Sequence, residues 1–275
     1  MTIEDLIVLG KKYTSSIHAK MLLASFLNVN SLELLTILDQ QVDPKTVDLY
    51  QKALISLQNN KPLQYVIGNV NFYGINYTIN ENVLIPRFET EELVENIKNY
   101  IIKNNLTTPK ILDLGTGSGV IGLTLKKFFP TADVTLTDIS PKALEVAKTN
   151  AKNLNLNVTF IQSNWLDNVN KEPYDIIVSN PPYIKEDEEI EEIVKSNEPH
   201  LALYGGKSGL DCYQNIINDI KPYLKEKYLI AFEIGYQQGK SLETLIKNTL
   251  DNVKITIKQD LSSKDRMLFV EKNID

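Results

Sequence analysis

Residues 110–119, Lys110-Ile111-Leu112-Asp113-Leu114-Gly115-Thr116-Gly117-Ser118-Gly119, pass from an apolar run into a glycine-rich turn. The run reads as a strand buried on both faces, and the residues behind the turn have helical spacing. Outward from this stretch the alternation repeats. Strands are predicted at 110–114, 133–138, 157–161, 174–179, 228–234, 253–258 and 267–271, with helices at 119–129, 141–154, 210–222 and 239–250. Seven strands alternating with helices predict an α/β fold, a Rossmann-like doubly wound sheet. Only a short polar loop, 259–266, separates the last two strands, so they should pair antiparallel at the sheet edge.

The first 61 residues look different. Ser31 can cap a segment carrying Leu32, Leu34, Leu35, Ile37 and Leu38. Asp43-Pro44 is a cap followed by proline at the first helical position, with Val47, Tyr50, Leu54 and Leu57 at helical spacing behind it. Residues 1–61 therefore read as a small helical bundle, either a packed accessory domain or a module that docks the substrate. From Pro62 to Phe88 short β-type runs, at 64–68, 70–73 and 75–79, alternate with glycines and predict a β-hairpin linker. Residues 89–275 form the catalytic candidate.

Composition excludes several classes. Lys+Arg total 29 against Asp+Glu 35, a net charge of −6, which gives no global attraction to a phosphate backbone. One cysteine, Cys212, cannot form an internal disulfide, which fits a reducing compartment. The two histidines, His18 and His200, show no zinc-site spacing, and no metal is expected. No apolar run approaches the roughly 20 residues that span a bilayer. The acidic start, Met1-Thr2-Ile3-Glu4-Asp5, lacks the basic region of a signal peptide, so a cytoplasmic protein is expected.

A glycine turn between strand and helix lets a ligand approach the backbone closely. Alone it also fits a dinucleotide, since Gly117-Ser118-Gly119-Val120-Ile121-Gly122 satisfies the G-x-G-x-x-G pattern. Asp138, at the end of the next strand, is placed to bind ribose hydroxyls. Asp113, just before the turn, would sit badly beside a pyrophosphate but well beside the ammonium of a methionine moiety. S-adenosylmethionine is therefore preferred over a dinucleotide as the expected cofactor. Trp165, the only tryptophan, follows the third strand and could lie near the adenine.

A second turn, Asn180-Pro181-Pro182-Tyr183, follows the strand at 174–179. An amide nitrogen is a poor nucleophile because its lone pair is delocalised. Two fixed acceptors, the Asn180 side-chain oxygen and the Pro181 carbonyl, could hold both N–H groups of a planar NH2 and favour lone-pair character toward a methyl group. The prolines fix φ, so the acceptors are organised in advance. Tyr183 offers a flat face against a planar group. In-line methyl transfer mainly needs alignment, so a catalytic histidine is not required.

Together these residues resemble the methyltransferases that modify planar nitrogens of glutamine, adenine or cytosine. The resemblance narrows at Pro62 to Gly68, Phe72-Tyr73-Gly74, Val83 to Arg87 and Glu89-Thr90-Glu91. These stretches, with Asp113 to Gly119, Ser179 to Ile184, Glu198-Pro199, Ala202-Leu203, Gly205-Gly206 and Gly209-Leu210, are similar to the HemK/PrmC family. That resemblance implies a class I methyltransferase domain and N5-methylation of the glutamine in the Gly-Gly-Gln motif of class I peptide chain release factors. It implies that Gly115, Thr116, Gly117, Ser118, Gly119, Asp138, Trp165 and Asn180 contact the cofactor, and that Asn180, Pro181, Pro182 and Tyr183 hold the substrate glutamine. Phe88 stands where the family usually has proline, and Ser208 where an aspartate commonly precedes Gly209.

Two other readings remain. An adenine-N6 methyltransferase acting on DNA or RNA would carry the same acceptor motif. Against it, no basic and aromatic target-recognition region is evident, and Glu186, Asp187, Glu188, Glu189, Glu191 and Glu192 follow the motif, where they would repel phosphates. They could instead attract a basic protein surface. A non-catalytic adaptor would not need the intact glycine turn, Asp138 and Asn180. No direct nucleic-acid or membrane partner is expected.

Overall fold

The computed structural model describes residues 1–272, which divide into two units. The first comprises Met1–Val70 and Ile190–Asn197; the second gathers Asn71–Glu189 and the described residues from Glu198 onward.

The first unit is helical, with α1 (Ile3–Gly10), α2 (Ser16–Leu27), α3 (Ser31–Leu34), α4 (Pro44–Gln58) and α5 (Leu63–Ile67). Asp43 accepts from Thr46 N at 3.0 Å and Pro44 opens α4, as the sequence predicts. The cap of α3 differs from expectation. Asn30, not Ser31, accepts from Leu32 N and Glu33 N at 3.0 and 2.9 Å. Its longer side chain satisfies two free N–H groups at once. Leu6, Leu22, Leu23, Leu34, Tyr50 and Leu54 are fully buried at the centre. Burial of each contributes about 1.5–3 kcal/mol.

The β-type run expected at 64–68 is a helix. Pro62 precedes the first turn of α5, and Gly68, at φ 81°, ends it by donating to Gln64 O. Leu63 is buried in the first unit's core and Val66 and Ile67 pack against it, so residues 62–68 are helical-unit structure, not linker. Only β1 (Asn69–Phe72) and β2 (Ile75–Thr78) form the hairpin.

In the second unit, α6 (Phe88–Lys103) precedes a seven-stranded sheet. Its strands are β3 (Lys110–Leu114), β4 (Asp133–Asp138), β5 (Thr159–Gln162), β6 (Tyr174–Ser179), β7 (Leu224–Glu233), β8 (Lys254–Gln259) and β9 (Asp265–Lys272). Helices α7 (Val120–Phe128) and α8 (Pro141–Asn153) link β3 to β4 and β4 to β5. The strand order is β5-β4-β3-β6-β7-β9-β8. All pairs are parallel from β5 to β7, whereas β9 runs antiparallel to both neighbours. The helix expected at 210–222 stops earlier, at Asp211–Asp219, and a 3-10 turn, Lys221–Tyr223, follows around Pro222.

The sheet order explains where a site must form. The chain leaves β3 toward β4 and β5, then returns to place β6 on the other side of β3. Crevices open at such reversals, beyond the carboxyl ends of the strands. The register pairs Leu114 with Ser179, and Ser179 Oγ donates to Leu114 O at 2.7 Å. The two turns that carry the chemistry therefore start from adjacent residues.

Candidate active site

A cavity of ≈ 300 Å³ opens at this crevice. One wall is the turn after β3, contributed by Gly115, Thr116, Gly117 and Ser118, with Asp138 from the end of β4 and Trp165 beyond β5. The opposite wall includes Asn180, Pro182 and Thr90. Residues Val83, Leu84 and Pro86 from one loop and Pro199, Leu201 and Ala202 from another complete it.

Asp138 organises the first wall. Its Oδ2 accepts from Gly117 N and its Oδ1 from Ser140 N, both at 2.9 Å. Burial raises its carboxyl above the usual range, and these two N–H groups partly oppose that rise. Gly117 lies at φ 56°, with nothing within 4 Å of where a Cβ would stand, so open space adjoins its backbone. Gly119 does not line the cavity. At φ 85°, a Cβ there would stand 2.8 Å from the buried Leu123 Cδ1. Its role is to let α7 start close under the turn. Trp165 adopts a left-handed backbone, φ 50°, uncommon for a bulky residue, and its ring lies against Gly115.

Asp113 also lies outside the cavity. It is fully buried, and Oδ2 accepts from Thr116 Oγ1 at 2.6 Å and Gly122 N at 3.0 Å. It therefore clamps the turn to α7 from beneath. Oδ1 has no partner among the described residues, and burial pushes the carboxyl up to about 6.

The cavity's charge bears on what it can hold. Among the described residues, no Lys, Arg or His lines it, and Asp138 is its only charged residue. A pyrophosphate would enter without a counter-charge, whereas a sulfonium-bearing nucleoside meets a carboxylate and apolar walls. The residues present fit S-adenosylmethionine.

On the acceptor wall, Asn180 Nδ2 donates to Thr90 Oγ1 at 3.3 Å, and Thr90 Oγ1 donates to Glu233 Oε2 at 2.6 Å. Glu233 ends β7, fully buried, and burial pushes its carboxyl up to about 7. Tyr183 and Pro181 do not line the cavity. Pro181 is buried, and the Tyr183 hydroxyl donates to Glu233 Oε1 at 3.4 Å and accepts from Arg266 Nη1 at 3.4 Å. Burial raises the Tyr183 phenol strongly, which keeps it protonated. Gln238 holds the turn from behind, donating through Nε2 to Tyr183 O and Gly209 O at 3.0 Å each.

Sequence reasoning missed Thr90, Glu233, Arg266 and Gln238. One signal was available: Glu233 is a carboxylate closing the apolar run Tyr228-Leu229-Ile230-Ala231-Phe232. The two loops over the cavity are joined by Glu198, which accepts from Ile85 N at 3.0 Å and from Arg87 Nη2 at 2.6 Å. Of the two departures from the family pattern, Phe88 is 64% exposed at the start of α6. Ser208 substitutes for an aspartate as a turn former: its Oγ accepts from Leu210 N at 3.2 Å. The acidic residues 186–189 are exposed and lie outside any helix. Among the described residues, no helix is long and apolar enough to cross a membrane.

Comparison with known proteins gives concordant matches. Residues 89–230 match the model of the methyltransferase small domain and residues 9–68 that of the PrmC N-terminal domain. A release factor glutamine methyltransferase of Streptococcus pneumoniae is 43% identical over 230 residues, covering 83% of this chain and 80% of that one. One from Bacillus subtilis is 36% identical over 256 residues, covering 91% and 89%. Among solved structures, a Pyrococcus furiosus methyltransferase superposes with TM-score 0.52 at 19% identity, covering 82% of this chain and 98% of that one. A T. thermophilus 16S rRNA methyltransferase in complex with AdoMet and guanosine gives 0.52 at 17% identity, covering 74% and 50%. At such identities the structural likenesses establish the fold.

Proposed function

Since the chain belongs to the release factor glutamine methyltransferase family, we propose that it methylates the side-chain amide nitrogen of the Gly-Gly-Gln glutamine in class I peptide chain release factors, drawing the methyl group from S-adenosylmethionine. When bound, the cofactor supplies an electrophilic methyl on a sulfonium. The chain's own residues do the rest. Asp138 accepts from the ribose hydroxyls while holding the turn at Gly117. Residues 115–118 leave their backbone open to the ligand, and Trp165 closes the adenine side.

On the other wall Asn180 gives one amide hydrogen to Thr90, which leaves its Oδ1 without a protein partner among the described residues. That oxygen receives one N–H of the substrate glutamine and the backbone carbonyl of Pro181 the other, although the Pro181 ring itself is buried away from the cavity. Fixed acceptors of this kind restrain the nitrogen and favour its lone pair in the transition state. The nitrogen sheds its proton after attack, so no strong base is required at the acceptor. Pro181 and Pro182 hold the turn, and Tyr183 braces it through Glu233.

The observation that carries this reading is that Asn180 and the Asp138-bearing wall line one cavity whose only charge, among the described residues, is that carboxylate. The protein partner is a class I release factor and the site of action is the cytoplasm. The test is methyl transfer from labelled cofactor to a release factor, to its Gly-Gly-Gln→Gly-Gly-Ala variant, and to DNA and RNA. Label on the unaltered factor alone supports the reading; label on nucleic acid instead replaces the substrate by adenine.

A further inference from the structure

Asn180 is useful to the reaction only in one of its two amide orientations. With oxygen toward the substrate it accepts an N–H; turned over, it presents an NH2 to an NH2. Oxygen and nitrogen are nearly the same size, so shape alone cannot choose between the two.

We propose that Thr90 and Glu233 form a polarised hydrogen-bond chain that fixes the Asn180 amide with Nδ2 inward and Oδ1 open to the acceptor glutamine. The proposal rests on the functional reading above and adds two positioning residues from distant parts of the chain. Thr90 lies in the first turn of α6 and Glu233 at the end of β7.

The direction of the chain follows from its proton count. The Thr90 hydroxyl has one hydrogen. Its 2.6 Å contact to Glu233 Oε2 has the length of a hydroxyl–carboxylate bond, so that hydrogen points at Glu233. The remaining lone pairs of Oγ1 can only accept, and the group 3.3 Å away on Asn180 must donate. A reversed amide would place Oδ1 against those lone pairs and lose the bond. Thr90 is 2% exposed and Glu233 1% exposed, so water has little access to repair a wrong arrangement.

The chain reverses only if Glu233 is protonated. It can then donate to Thr90, which donates to Asn180, and the amide turns over. Burial brings the Glu233 carboxyl to about 7, so the reversal falls in an accessible pH range. The groups around it are Glu89 on α6, which raises it, and Arg266 on β9, which lowers it. The Tyr183 hydroxyl after β6 also donates to it, and Tyr213 Oη donates to the Glu233 carbonyl rather than to the carboxylate.

Two variants and two readouts test the idea. Thr90→Val keeps the shape and removes the hydroxyl; Thr90→Ser keeps the hydroxyl. Loss of a pre-organised contact of this class predicts a kcat about 10- to 100-fold lower in Thr90→Val, with unchanged cofactor affinity, and recovery to within about threefold in Thr90→Ser. In the wild type kcat should fall on the acid side of about pH 7, and that limb should vanish in Thr90→Val. The second readout needs no turnover. In nitrogen–proton spectra the Asn180 side-chain NH2 signal should shift with the titration of Glu233, and Thr90→Val or Glu233→Gln should abolish the shift. Near-normal kcat in Thr90→Val, equal losses in Val and Ser, or an Asn180 signal indifferent to pH would each overturn the proposal. A wild-type enzyme that leaves release factors unlabelled would instead overturn the functional reading, while the spectra still decide the chain.

Discussion

Asp138 and Asp113 are two buried aspartates on adjacent strands, and replacing each by asparagine should have opposite consequences. Asp138 receives two backbone N–H groups on two different oxygens, from Gly117 and Ser140. An asparagine has one oxygen, so either way round one N–H faces an NH2. A hydrogen bond to a charged group is worth about 1.5–3 kcal/mol. Relief of the buried charge returns part of this, leaving a net loss of about 1–2 kcal/mol and a Tm lower by about 2–8 °C. The ribose loses a charged acceptor as well, so cofactor Kd should rise about 10- to 100-fold. Asp113 receives both its hydrogen bonds on Oδ2, which an amide oxygen reproduces, while Oδ1 has no partner to lose. Its carboxyl is held up at about 6 against an ordinary 3.8. An acid held high favours the native state in its protonated form. That stability is complete below about pH 4 and is lost as the pH climbs through about 6. Asp113→Asn should thus match the wild type at low pH and gain up to about 3 kcal/mol above pH 7, with cofactor affinity unchanged. Thermal unfolding from pH 4 to 8 and calorimetry with S-adenosylmethionine measure both quantities. An Asp138→Asn variant that binds and melts like the wild type, or an Asp113→Asn variant that binds the cofactor more weakly than Asp138→Asn does, would refute these assignments.

Other expectations follow from single contacts. Asn180→Ala should lower kcat at least about 100-fold with little change in cofactor affinity, and a near-normal kcat would remove Asn180 from the mechanism. Gly119→Ala puts a Cβ 2.8 Å from Leu123 Cδ1 at a left-handed φ, so stability should fall by about 1–3 kcal/mol. Gly117→Ala meets no clash but takes the same left-handed strain, so it should cost about 1 kcal/mol, less than Gly119→Ala, while weakening cofactor binding more, a contrast that paired calorimetry and thermal denaturation would reveal. Arg87→Ala strands Glu198, whose side chain is 2% exposed, and should cost about 2–4 kcal/mol in denaturant unfolding, reduced from a fully dry pair because Arg87 is 35% exposed.

The second unit was legible because β3, β4 and β6 are largely apolar runs closed by Gly115, Asp138 and Asn180, and because Ser140-Pro141 opens α8. Predicted and observed limits of β3, β4 and β6 coincide. The segment at 64–68 was misread because Tyr65, Val66 and Ile67 have strand propensity. Packing of Leu63, Val66 and Ile67 on the helical core overrode it, and Pro62 with Gly68 marked the true ends. The cavity's glycine wall could be read from local sequence, since a turn and its helix are contiguous. The support behind Asn180 could not, because Thr90 and Glu233 are separated from it by 90 and 53 positions and meet only through the sheet. Asp113 was read as a ligand group because the sequence gives its position but not the side of the turn it takes.

The placement of β9 between β7 and β8 has a consequence for the order in which the chain is made. A ribosome delivers β3 to β7, the glycine turn and Asn180 well before residues 265–272. Until those residues clear the exit tunnel, β7 presents an open edge carrying Leu229, Ile230, Ala231 and Phe232, a template for unwanted pairing between nascent chains. The missing strand also carries Arg266, which bonds to the Tyr183 hydroxyl and to Ile234 O. The strand that covers the β7 edge is thus also the one that braces the acceptor turn.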